Sequence, residues 1–227
     1  EFFLYDGKKM SSSKGVGLTG EDLLDVLPPQ LVRFLMIKTP PNQAVEFNPR
    51  GTLIIPQLWD DFQKASQSTE DYLQRSYKFS EVSGENIDLQ VKFLTLAQWV
   101  QMPNMQDKIG REELEELARY AKVWVDKYAP ESEKFEIQSK LPKEAEKLDE
   151  KQISFLRKVS IELDQNWEAE DFQTKLYEWS KEMDISSKDA FSAIYLTLIG
   201  KTSGPKAAWI ILENKALSKK RFEDLGN

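Results

Sequence analysis

A mainly α-helical fold is predicted, opened by a short β-α-α-β-α segment, and three observations predict it. Apolar residues recur at spacings of three and four through most of the chain after Gly51. Alternating strand patterns are nearly absent over the same stretch. Glycines, prolines and capping pairs stand where such helices would begin or end.

The elements follow in order. Glu1-Phe2-Phe3-Leu4-Tyr5 reads as a short apolar strand and Asp6 to Gly17 as a Gly/Lys/Ser loop. Thr19 with Asp22 forms a capping pair ahead of Leu23, Leu24, Val26 and Leu27. Pro28-Pro29 ends that helix and starts the next, Gln30 to Lys38, because proline suits a first helical turn. A turn at Pro40-Pro41-Asn42 precedes a short strand at Ala44 to Phe47, and a helix covers Leu53 to Ala65, disturbed at Pro56.

Helical stripes then run through Leu89, Phe93, Leu96 and Val100, and through Leu114, Leu117, Ala121, Val125 and Tyr128. Further stripes join Ile153 to Trp167, Phe172 to Met183 and Phe191 to Leu198, the last begun by Ser186 with Asp189. Residues 129–150 carry Pro130, Pro142, many charges and few apolar side chains, and read as a hinge.

Composition excludes several chemistries. The 227 residues include no cysteine and no histidine. Disulfides, thiolate or imidazole metal sites, and histidine-dependent nucleophiles are therefore ruled out. No stretch approaches the roughly 20 apolar residues of a membrane helix, and the apolar start lacks the basic flank of a signal peptide. The net charge of -7 is unevenly placed. Lys201, Lys206, Lys215, Lys219, Lys220 and Arg221 face only Glu213 within the segment 201–221. That segment suits nucleic-acid phosphates, or equally a solvated helix face.

The chemically informative run is Lys9-Met10-Ser11-Ser12-Ser13-Lys14-Gly15. Its hydroxyls, ammonium groups and glycine amides suit a polyanion such as a triphosphate. The order of residues is similar to the Lys-Met-Ser-Lys-Ser signature of class I aminoacyl-tRNA synthetases, and its Ser-Ser-Ser form resembles the class I lysyl-tRNA synthetases. The resemblance continues through Pro28 to Leu35, Lys38 to Asn42, Leu58 to Phe62, Phe93 to Gln98 and Gly200 to Pro205.

That resemblance implies an ATP-phosphate loop of Lys9, Met10, Ser11, Ser12, Ser13 and Lys14, with Lys9 and Lys14 cationic and Met10 packing beneath. Ser12 stands where the family often has a second lysine. It also implies a stem-contact-like region over 1–66 and a helical anticodon-binding cage over 67–227. Lysine tRNA would be held partly by Lys201, Lys206, Lys219, Lys220 and Arg221. ATP, with magnesium, and lysine would be substrates of a longer cytoplasmic parent enzyme. No DNA, membrane or tightly bound cofactor is expected. The family's histidine-containing signature is missing, so the chain is expected to be a C-terminal part, inactive alone. A glutamyl-tRNA synthetase and a helical protein-interaction module without an RNA role are the alternatives.

Gly200-Lys201-Thr202-Ser203 invites comparison with a phosphate-binding P-loop. The required earlier glycine is Tyr195, and a helix rather than a strand precedes it. A helix-ending glycine, a turn and a new helix at Pro205 is the better reading.

Overall fold

The computed structural model describes residues 3–11, 17–40, 42–82, 87, 91–111 and 114–225. The chain forms two compact units: Glu1–Val100 with Asp107–Lys134, and Gln101–Gln106 with Phe135–Asn227.

The first unit begins with β1 (Phe3–Tyr5) and β2 (Lys8–Lys9), paired antiparallel with Leu4 opposite Lys9. The loop expected from Asp6 onward therefore starts later. Asp6 and Gly7 both take positive φ, 51° and 69°. This is the two-residue turn whose twist matches that of the flanking strands. After the 10–19 connection come α1 (Gly20–Val26) and α2 (Pro29–Ile37). Thr19 and Asp22 make the expected reciprocal cap. Pro29 occupies the first turn of α2, where a missing N–H costs nothing.

Strand β3 (Val45–Glu46) then joins β1 in parallel, giving the sheet order β2-β1-β3. The next helix, α3 (Ile54–Gln67), contains Pro56 in its first turn, which is why that proline does not disturb it. The β-α-α-β-α expectation holds, with the extra hairpin strand added.

Helix α4 (Asp71–Ser80) escaped the hydrophobic pattern. Its buried residues are Ser76 and Ser80, whose hydroxyls donate to the carbonyls of Tyr72 and Tyr77. These buried serines share the inner face of α4 with half-buried Leu73 and Tyr77, whose ring lies 4.9 Å from Phe62 of α3. Helices α5 (Phe93–Trp99), α6 (Gln106–Arg111) and α7 (Glu115–Lys127) follow. Leu89 lies outside the described residues. Aromatic contacts dominate this core. Trp59 stacks on Phe93 at 5.3 Å, Phe93 meets Trp124 edge-on at 5.8 Å, and Phe34 meets Phe62 edge-on at 5.3 Å. Each such side chain, fully buried, contributes roughly 1.5–3 kcal/mol of transfer energy.

The second unit is built from α8 (Glu150–Glu162), α9 (Ala169–Glu182), α10 (Ser187–Leu198), α11 (Ala207–Glu213) and α12 (Lys215–Asp224). Asp149 and Gln152 cap α8 reciprocally, and the Ser186 hydroxyl accepts from the Asp189 amide at the start of α10. Leu156, Val159, Leu163, Phe172, Leu176, Ile194 and Leu198 fill the core, as their spacing predicts, and Phe155 joins them. Ser160 and Ser180 are also buried, each with its hydroxyl on a carbonyl of its own helix.

Candidate functional site

Two basic segments were expected to meet polyanions, one in each unit. The first is only partly described. Lys9 ends β2 on the exposed side of the hairpin, and the Met10 amide donates to the Phe3 carbonyl at 2.9 Å. Gly17 sits beyond the connection with a φ of +107°. A Cβ on Gly17 would fall 2.6 Å from Met10 Cγ, so the Met10 side chain lies directly against the Gly17 backbone. Met10 thus packs against Gly17. Ser11 is described; Ser12, Ser13 and Lys14 lie outside the described residues.

Thr19 then fixes where the loop stops. The Asp22 carboxylate accepts from the Thr19 amide (2.9 Å) and hydroxyl (2.7 Å). Those two hydrogen bonds hold the Asp22 carboxyl below its usual value.

The second segment differs from a plain solvated face. Gly200 ends α10 with a φ of +71°, as a helix-terminating glycine should. Gly204 lies against the Tyr195 ring, where an added Cβ would come within 2.9 Å of Cδ1. The Tyr195 hydroxyl donates to the Pro205 carbonyl. Burial pushes that phenol's pKa well above its ordinary value. Pro205 therefore belongs to the turn, and α11 starts at Ala207 rather than at Pro205.

The cations of this segment have separate fates. Lys201 is half-buried. Exposed Lys206 carries its ammonium 4.5 Å above the Trp209 ring. Lys215 donates to the Gln165 carbonyl at 2.9 Å. Lys219 pairs with Asp164 and lies 3.9 Å from Glu223. Hydrogen bonding to Asp164 raises the Lys219 pKa. Lys220 is exposed.

Arg221 is 5% exposed and donates to the carbonyls of Thr197, Leu198 and Gln138. Burial lowers its pKa. Its guanidinium closes the end of α10, and a phosphate contact would require surrendering those bonds. Sequence reasoning grouped Arg221 with the surface lysines because charge alone carries no sign of burial.

The tryptophans divide in the same way. Trp59, Trp99, Trp124, Trp179 and Trp209 are buried, and the half-buried Trp167 donates its indole N–H to the Glu162 carbonyl. They pack cores instead of offering stacking faces. Among the described residues, no group of three or more carboxylates is placed to hold a metal, and no helix is long and apolar enough to cross a membrane.

Comparison with known proteins reaches both segments. Residues 57–215 match the family described as "Anticodon binding domain". The chain belongs to that family. Residues 1–85 match a second family, "tRNA synthetases class I (K)", so the two matches together span most of the chain.

Among similar proteins is a lysine–tRNA ligase of Archaeoglobus fulgidus, 30% identical over 89% of this chain and 42% of that protein. The Methanosarcina barkeri lysine–tRNA ligase is 27% identical over 96% of this chain and 47% of its own length. The Pyrococcus horikoshii enzyme is 30% identical over 88% and 43%. The chain thus spans under half the length of these relatives. They are lysine enzymes, so the glutamyl alternative is not favoured.

Proposed function

We propose that this chain is the tRNA-binding, C-terminal portion of a class I lysine–tRNA ligase and carries that enzyme's ATP-phosphate loop. The observation that carries the reading is the succession in one chain of a class I (K) synthetase segment and an anticodon-binding domain. The whole enzyme would join lysine to ATP with loss of pyrophosphate, then pass the lysyl group to lysine tRNA. This portion alone would not complete that reaction.

In the loop, Lys9 and Lys14 supply compact charges on flexible stems that follow phosphate charge as it moves. Ser11, Ser12 and Ser13 add donors. Magnesium would arrive with the nucleotide. The stem-contact role falls to residues 1–66 and anticodon binding to 67–227. Lys201, Lys206 and Lys220 meet phosphates of the tRNA backbone. Lys219 joins them by exchanging a surface ion pair of small net worth for a phosphate. The cytoplasm, where tRNA is charged, is the expected site of action.

Titration with lysine tRNA and with an unrelated tRNA tests the reading. Tighter binding of lysine tRNA, weakening as salt rises, is expected. Equal affinities, or affinity indifferent to salt, would overturn it.

A further inference from the structure

In the first unit, the end of α7 is bonded toward both flanks of the phosphate loop, a placement that tRNA binding does not require. Its last residue, Lys127, donates from Nζ to Asp25 Oδ2 of α1 at 3.2 Å. The next residue, Tyr128, is buried, and its carbonyl accepts from the Gly51 amide at 2.7 Å.

Each contact leads to one side of the loop. Gly51 ends a turn with a φ of +68°, and inside that turn the Arg50 amide donates to Asn48 Oδ1 at 3.0 Å. That bond orients the Asn48 carboxamide, whose Nδ2 donates to Asp6 Oδ1 at 2.5 Å. Asp6 is the first residue of the hairpin turn, and the Gly7 amide beside it donates to Glu46 Oε1 at 3.3 Å. The turn runs straight into β2, which ends at Lys9.

On the other side, Asp25 lies one helical turn beyond Asp22, whose carboxylate caps α1 together with Thr19. The Tyr128 phenol feels that carboxylate as well. Burial raises its pKa first, and the charge of Asp22 adds to the rise.

The two links differ in strength. The Lys127–Asp25 pair is about half exposed and of small net worth by itself. The Asn48 link runs through a side chain held at both ends, so it is the firmer of the two. Small displacements matter at such a place, because moving a reacting group by about 1 Å can cost about a hundredfold in rate. Lys127 and Tyr128 fall within residues 57–215, while Asp6, Asp25 and Asn48 precede them and fall within 1–85. The support comes from outside the stretch that carries the loop.

We infer that the end of α7 braces the phosphate loop, with Asn48 and Lys127 as positioning residues. Asn48 acts through Asp6 on the strand that bears Lys9. Lys127 acts through Asp25 on α1 and its Thr19 cap. The inference rests on the proposed phosphate loop and adds the residues that aim it.

Lysine-dependent exchange of labelled pyrophosphate into ATP, by the whole ligase with lysine tRNA present, tests it. Asn48→Asp keeps the acceptor for the Arg50 amide and sets a like charge against Asp6. Its kcat should fall about tenfold, with the KM for lysine within about twofold of the unaltered enzyme. Lys127→Met should lose about threefold in kcat, and Lys127→Arg should keep the rate because a guanidinium also donates to Asp25. Asp25→Asn combined with Lys127→Met should lose no more than Lys127→Met alone, since both cut one link. In this chain alone, the Met10 amide on the Phe3 carbonyl should exchange with solvent several-fold faster in Asn48→Asp, with Leu156 unchanged. An unaltered kcat in Asn48→Asp, or Lys127→Arg as slow as Lys127→Met, would overturn the brace and leave the ligase reading standing. A whole protein without lysine-dependent exchange would overturn the ligase reading and the brace with it.

Discussion

The two basic segments look alike as strings and differ once folded. Around Lys9 the chain makes a tight Asp-Gly hairpin and lays Met10 against Gly17. From Lys201 to Arg221 the cations are spent unevenly. Arg221 is buried on three carbonyls, Lys219 is tied to Asp164, Lys206 lies over Trp209, and Lys220 stands exposed. Charge in a sequence therefore does not measure charge offered to a partner. Burial and neighbours decide how much of it reaches a phosphate.

The comparison breaks most visibly at Arg221. Arg221→Met should cost about 3 kcal/mol, because buried carbonyls lose a charged donor. A urea titration would measure this. The surviving folded protein should keep its salt slope for tRNA. A fall in slope by about one would mean that Arg221 touches phosphate after all.

Gly17 sharpens the other side. Gly17→Ala combines a strained positive φ with a clash against Met10, and should cost about 2 kcal/mol in thermal unfolding. Pairing it with Met10→Ala should restore the part due to the clash and leave the backbone strain. Equal losses in both backgrounds would show that Met10 does not pack there.

Thr19→Ala removes the cap that ends the loop and should cost about 1 kcal/mol at neutral pH. Asp22 titrates below its ordinary 3.8 in the folded chain. Its contribution is thus present above pH 3.8 and is lost as pH falls through the lower folded value. The gap between wild type and Thr19→Ala should narrow under those acidic conditions. A constant gap down to the lowest measurable pH would remove Asp22 from the account.

Smallest are the exposed lysines. Lys206→Gln and Lys220→Gln should each weaken tRNA binding a few-fold and lower the salt slope by about one. Lys215→Gln should leave the slope unchanged, because its ammonium is held on the Gln165 carbonyl.

How much of this was legible in the sequence follows the same division. Helices with apolar stripes, such as α8 with Leu156 and Val159, were read correctly because burial and periodicity coincide there. Helix α4 was missed because serines bury its inner face, and β2 because the Asp-Gly turn lay inside a run of polar residues. The expectation of a phosphate loop came from the order of its residues. Placing its lysines and serines needs neighbours that a linear string does not display. A cavity beside Glu213 was invisible for a related reason: residues 101–102, 135–137, 210 and 213–214 are brought together only by packing.

The most direct test of the central claim is hydrogen exchange along the chain with and without lysine tRNA. Added tRNA should protect amides in 201–221, where the lysines proposed to meet phosphates lie. It should leave the core amides of Phe155 and Leu156 in α8 as they were. Protection confined to the first hairpin, or none anywhere at saturating tRNA, would contradict the account.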